Sequence, residues 1–417
     1  MRLATTTALC ALLATPALAV EEGDVLATYA DIAAAAYGDS LATARTLDAA
    51  VDAFLAEPSA EGLAAAKSAW LAARVPYQQT EAFRFGNPIV DDWEGRVNAW
   101  PLDEGLIDYV APGSTGVTDA NAYGALNVVA NAAFTLSGEQ VDAAEITPAL
   151  LQNTLHEADS VEANVATGYH AIEFLLWGQD LGGTGAGAGT RAWSDYATGE
   201  ACTNANCDRR GDYLRAATDL LVSDLEEMAT AWQDGGPARQ AVMDDPEGVN
   251  RILTGMGSLS YGEQAGERMK LGLLLNDPEE EHDCFSDNTH NSHYYDGLGI
   301  RNVYLGRYTG VDGIVIEGAS LSELVAARDA DVDSALRDAL DATMFELGEI
   351  KLVAEAGMAY DQMLDPDNEA GGALIQSAID ALVAQTREIE RAVSALGREQ
   401  ISFEGSDSLD DPNAVFE

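Results

Sequence analysis

The run Gly168-Tyr169-His170-Ala171-Ile172-Glu173-Phe174-Leu175-Leu176-Trp177-Gly178 constrains the fold more than any other stretch of this chain. Read as a helix, it sets Val165, Tyr169, Ile172 and Leu176 on one apolar line, with Ala166, His170, Glu173 and Trp177 on the line beside it. A helix that is apolar nearly all round belongs inside a larger assembly. His170 and Glu173 are therefore expected to be buried together on one face. Burying a polar group without a partner costs about 2–7 kcal/mol, and a charge costs more. A metal ion or a hydrogen-bonded network must meet them. Spacing alone favours a core histidine held by its own carboxylate, although imidazole beside carboxylate also suits a transition-metal ion.

Helical periodicity governs most of the remaining chain. It predicts helices over 22–37, 40–56, 59–85, 146–156, 160–178, 208–233, 246–275, 319–329, 333–362 and 371–396. Ser320 with Glu323 has the spacing of a capping box, and Ser59 is a weaker candidate cap. The expected fold class is all-α: two helical-bundle domains with irregular loops and a small β-hairpin insert. The bundles are placed at 20–245 and 246–400, with a disordered tail over 401–417. Residues 86–125, 180–207 and 276–318 break the periodicity, the last with short strands expected at 301–305 and 313–317. The glycine-rich Gly182–Gly189 stretch has no Gly-Lys-Ser/Thr after it, so it is not a phosphate loop.

Residues 1–19 read as a secretory signal: Arg2, an apolar stretch containing Cys10, then Ala17-Leu18-Ala19 as a cleavage site. No later run reaches the roughly 18 apolar residues that span a bilayer. The expected localisation is secreted, in the periplasm or associated with an outer membrane. Acids outnumber bases by 70 to 22, giving a formal charge of −48. Such a surface repels nucleic acid and anionic lipid and attracts cations. Hydrophobic residues still make up 47% of the chain, which excludes a disordered acidic chain. Cys202 and Cys207 are expected to pair in an oxidising compartment, leaving Cys284 unpaired.

Three further constellations carry chemistry. Trp70, Arg74, Tyr77, Glu81 and Arg84 form one helical stripe, either an ion-paired packing face or a site wall. In the second case Glu81 is a ligand or base, and Arg74 or Arg84 balances charge. Trp100 with Asp103 and Glu104 follows in a loop. The segment Glu281-His282-Asp283-Cys284-Phe285-Ser286-Asp287-Asn288-Thr289-His290 interleaves histidines with carboxylates, a donor set suited to iron, manganese or zinc. Upstream, Glu263 and Glu267 share a helix face. The zinc-peptidase helix with two histidines one turn apart is absent, because Phe174 stands where the inverted form needs its second histidine. The stretch from Asp365 fails as a calcium loop, because Ala370 takes the place of its glycine.

Gly168-x-His170-x-x-Glu173 resembles the signature of the imelysin family. Glu81-Ala82-Phe83-Arg84-Phe85-Gly86-Asn87-Pro88, Trp100-Pro101-Leu102-Asp103-Glu104-Gly105 and the 281–290 segment resemble its iron-regulated protein A branch. The resemblance implies an all-helical, two-bundle fold and a link to iron uptake, and brings with it the family's metallopeptidase label. The resulting expectation is a metal-binding protein in iron acquisition, with iron held between the bundles. Its expected ligands are His170, Glu173, Glu81, His282, Asp287 and His290. Arg74, Tyr77, Arg84, Trp100, Asp103, Glu104, Trp177, Glu263 and Glu267 would form the wall. A zinc metallopeptidase and a binder of a peptide or iron chelate are the alternatives. The implied partners are the metal ion and an iron transporter or outer-membrane component, with no nucleic acid.

Overall fold

Where the sequence predicts two helices at the N-terminus, the chain forms one: α1 spans Glu22–Ala56 without a break. Gly38, Asp39 and Ser40 read as an interruption, yet Ser40 is buried and its Oγ donates to the Ala36 carbonyl at 2.8 Å. This is a computed structural model, and it describes residues 20–114, 116–118, 121–398 and 401–416. The expected signal segment lies outside the described residues.

Ser59 accepts a hydrogen bond from the Gly62 amide and starts α2 (Ala60–Gln78). α3 covers Pro88–Asn98, with Asn87 capping it. The motif run forms α4 (Gly168–Trp177), every residue of which is buried. It starts later than expected, because Asp159 and Ser160 take left-handed backbone angles that interrupt a helix. α5 (Cys207–Ala231) packs beside α1, and α4 lies against α2, α3 and α5. In the second half, α6 (Gly248–Ser258) runs into a π-helical stretch, Leu259–Lys270. α7 (Thr289–Leu305), α8 (Ala330–Glu355) and α9 (Glu369–Ala395) complete the main elements. Ser320 and Glu323 form the expected capping box on the helix Leu321–Ala326.

The fold is mostly α with two small antiparallel hairpins. β1 (Ala133–Leu136) pairs with β2 (Glu139–Asp142), and β3 (Arg307–Thr309) pairs with β4 (Val315–Glu317). The strand expected at 301–305 is corrected: those residues are the last turns of α7. Over 401–416 the chain is ordered and packs along the π-helical stretch. A Cβ at Gly257, Gly262 or Gly266 would collide with Phe403, Glu404 or Ser406 respectively, so these glycines form a track on which the tail lies. The Ser408 hydroxyl donates to the Gly266 carbonyl at 3.0 Å, and Tyr261 donates to Asp410 at 2.7 Å.

Two groups of buried apolar side chains are present. The larger draws on α1 to α7 and also takes Leu336, Leu340 and Ile389 from α8 and α9. The smaller joins Met269, Leu347, Ile350, Met363, Ile375 and Leu382. Among the described residues no helix is long and apolar enough to cross a membrane. Cys202 and Cys207 are bridged, and Cys284 is free.

Candidate metal centre

Gly168 opens α4 with φ +78°, and a Cβ there would collide with the Val97 carbonyl. The first residue of the motif therefore serves the backbone, as only glycine fits both demands. The Thr167 hydroxyl donates to the Arg96 carbonyl at 2.8 Å, and Trp70 Nε1 donates to the Tyr169 carbonyl at 3.0 Å. These contacts fix where His170 points. Its Nδ1 lies 3.2 Å from Glu173 Oε2, while Glu173 Oε1 accepts from the Ser286 amide at 2.9 Å and its hydroxyl at 2.6 Å. His170 Nε2 has no hydrogen-bond partner.

His282 sits edge-on to His170, with ring centroids 4.7 Å apart. Its Nε2 is 3.4 Å from Asn98 Nδ2, and its Nδ1 is unpartnered. Asp283 completes the group: His170, His282 and Asp283 each present a donor atom within 4.8 Å of the others, and all three are buried. Asp283 also accepts from Arg74 Nη2 at 2.7 Å, Arg74 Nε at 3.3 Å, Asn288 at 2.7 Å and Ser292 at 2.5 Å. Arg74 Nη1 donates to Asn98 Oδ1 at 2.7 Å, so one guanidinium braces both neighbours of His282.

Burial, then the Arg74 charge, lowers His170 to about 3. Burial, then Arg268, holds His282 well below the ordinary imidazole value. Both rings are therefore neutral at pH 7, the form that ligates a metal. Burial opposes ionisation of Asp283, but the Arg74 guanidinium outweighs it and keeps the carboxyl below the usual range. Burial and the Asp283 charge push Glu173 well above that range. Two neutral imidazoles beside a carboxylate form a donor set that fits iron, zinc or manganese.

Of the group, His282 lines a cleft of about 570 Å³, together with Trp100, Asn98, Glu94, Glu263 and Arg268, among others. Acids dominate its charged rim, which also carries Glu157, Glu162, Glu267 and Glu280.

The structure separates several residues that the sequence grouped. Glu81 is not beside His170. It pairs with Arg268 at 2.7 Å, and Arg268 also reaches Glu263 at 2.7 Å and Asp296 at 3.0 Å. Arg84 meets Asp91, Glu94 and Glu263 on the cleft side. Tyr77 packs its ring 4.8 Å from Tyr169, and Trp177 packs 5.4 Å from Trp70. Trp100 stands 6.0 Å from His282, ring to ring. Asp103 and Glu104 do not line the cleft, and Asp103 accepts from Asn121 instead. Asp287 joins Asp180 and Asp361 in a second acidic group, and His290 contacts Asn291 at 3.0 Å. Sequence reasoning passed over Asp283 as a ligand although it adjoins His282. Nothing in the sequence marked Asn98.

The sequence model of the imelysin family matches residues 33–389. This chain belongs to the imelysin family. A crystal structure of a candidate iron-regulated protein A precursor from Parabacteroides distasonis superposes with TM-score 0.64 at 19% identity, covering 90% of this chain and 94% of that one. An imelysin-like protein from Psychrobacter arcticum gives TM-score 0.56 at 16% identity, over 93% of this chain and 100% of the other. At such identities these likenesses speak for the imelysin fold alone. An iron-regulated protein A from Synechococcus elongatus is 36% identical over 67 residues, which is 16% of this chain and 19% of that relative.

Proposed function

We propose that this imelysin-family protein binds a transition-metal ion, iron foremost, as an exported component of iron acquisition. The observation that carries the reading is the buried cluster of His170, His282 and Asp283, in which each ring keeps one unpartnered nitrogen and His282 lines an acidic cleft. In this reading His170 and His282 ligate the ion and Asp283 adds a carboxylate. Glu173 holds the His170 ring from its Nδ1 side, the arrangement that commonly orients metal-bound imidazole. The acidic rim raises the local concentration of cations and provides their access path. Glu81 acts at one remove, by holding Arg268 in the cleft wall. The names of the relatives support iron over other metals, and a periplasmic or outer-membrane setting with a transporter as partner follows from the same reading.

Metal analysis of purified protein tests this, with titrations of iron and zinc into chelator-treated wild type, His170→Ala, His282→Ala and Glu173→Gln. Each alanine variant should lose at least tenfold in affinity while remaining helical, and Glu173→Gln about tenfold. Unchanged metal content in both alanine variants refutes the proposal. The family's description also carries a peptidase designation, so the same samples should be offered an unfolded protein substrate. Turnover that needs zinc and disappears in Glu173→Gln would favour the hydrolase reading.

A further inference from the structure

A second group of donors stands apart from the histidines. Asp180 lies in the loop after α4, Asp287 in the segment before α7, and Asp361 in the short helix Tyr360–Leu364. Each presents a carboxylate oxygen within 4.8 Å of the other two. Asp361 is only 2% exposed, and neither of its oxygens makes a close hydrogen bond; only the backbone amides of Asp361 and Gln362 stand near. One oxygen of Asp287 is equally unpartnered.

Glu281 supplies an independent sign of a missing ligand. It is 1% exposed and neither oxygen makes a close hydrogen bond; the nearby Thr289 side chain favours its ionised form, against the charges of Asp361, Asp287 and Asp180. Glu281 and Asp180 line one cavity of about 10 Å³, room for a single water. Among the described residues no lysine, arginine or histidine forms an ion pair with any of the four acids. Buried carboxylates left in this state are costly, and a bound cation removes the cost.

We propose that Asp180, Asp287 and Asp361, with Glu281 beside them, form a structural site for a hard divalent cation of the calcium class, separate from the histidine centre. The donors are all oxygen, which excludes the soft metals. Calcium sits at about 2.4 Å from its ligands, so two of them on opposite sides lie about 4.8 Å apart. The three aspartate oxygens all lie within that span of one another, close enough to share one such ion. Magnesium binds at about 2.0–2.1 Å and usually retains several waters, so a cluster of crowded carboxylates suits it less. The ion would join three segments that are remote in sequence: the glycine-rich loop, the 281–287 segment and the Tyr360–Leu364 helix. Thr184 already reaches across from that loop to Asp365 at 2.7 Å. Because His282 and Asp283 lie on the 281–287 segment, the ion would steady their position.

Calcium is titrated into the chelator-treated full chain, followed by calorimetry and thermal unfolding. We expect one saturable site and a Tm rise of several degrees, with a smaller rise in equal magnesium. Asp361→Asn and Asp287→Asn should abolish the rise. Their calcium-free Tm should match or exceed that of wild type, because each removes one of several crowded like charges. His170→Ala should keep the calcium response, which separates this site from the histidine centre. Asp234→Asn, whose side chain is 99% exposed, controls for loose binding to the acidic surface. A wild-type chain with no saturable calcium binding overturns the proposal. So does a Tm rise that persists in whichever aspartate variants fold.

Discussion

Replacing Arg74 with Met removes the charge that holds Asp283 and nearly preserves the volume. The pair is buried on both sides, 1% exposed at Arg74 and 0% at Asp283, with the shorter contact at 2.7 Å. Breaking such a pair from one side leaves a charge without its counter-ion, typically at about 3–5 kcal/mol. Asp283 keeps its hydrogen bonds from Asn288 and Ser292, which places the loss near the lower limit, about 3 kcal/mol. An exposed pair gives the contrast. Arg45 and Glu226 are 54% and 61% exposed at 3.2 Å, so Arg45→Met should cost less than about 1 kcal/mol. Urea unfolding of chelator-treated protein measures both. The same experiment with metal adds a second reading. A cation held by His170, His282 and Asp283 supplies the positive charge that Arg74→Met lacks. Saturating metal should therefore stabilise Arg74→Met by more than it stabilises wild type. A loss below 1 kcal/mol for Arg74→Met, or equal gains from metal in the two proteins, would refute the reasoning.

Gly168→Ala should lower both Tm and metal affinity, because its positive φ and the Val97 carbonyl leave no place for a methyl group; wild-type behaviour in both assays would contradict this. Reducing the Cys202–Cys207 bridge should cost about 2 kcal/mol or less by chemical denaturation, since it closes a ring with a separation of only 5 residues. The metal-free chain should lose Tm as pH rises from 6.5 to 8. Burial raises Glu94 and Asp287 to about 7, so the folded state holds protons there that the unfolded chain releases near 4. That stabilisation is complete below the unfolded value and disappears as pH passes 7. The buried histidines, with His170 and His293 pushed down to about 3, act in the opposite direction, and only below about 6.5. A Tm that climbs across 6.5–8 would show that the sign is wrong.

The inner helix was legible because an apolar run with a histidine and a glutamate admits few other readings. The capping box at Ser320 and the bridge at Cys202 were legible for the same reason: each is a short-range pattern with a local cause. α7 was not, since Thr289 to Leu305 is rich in histidine, asparagine and tyrosine and shows little aliphatic periodicity. Its place is set by packing against α2, α8 and the π-helical stretch, none adjacent in sequence. Glu81 shows the limit most clearly. A stripe on one helix tells which side chains share a face, but not what answers them. Arg268, 187 residues further on, answers Glu81 and takes it away from the histidines. Asp283 was passed over in the opposite way, in a segment already marked for its chemistry.

The glycine track beneath the tail has a consequence for how the protein is made. Residues 403–408 are translated after every residue of the histidine centre, and they cover the helix that carries Arg268. Until they arrive, a growing chain holds every residue of the histidine centre but shows a bare groove along Gly257, Gly262 and Gly266. A chain cut before residue 403 would still hold the whole donor set. Such a chain would lack the clasp that closes over the π-helical stretch.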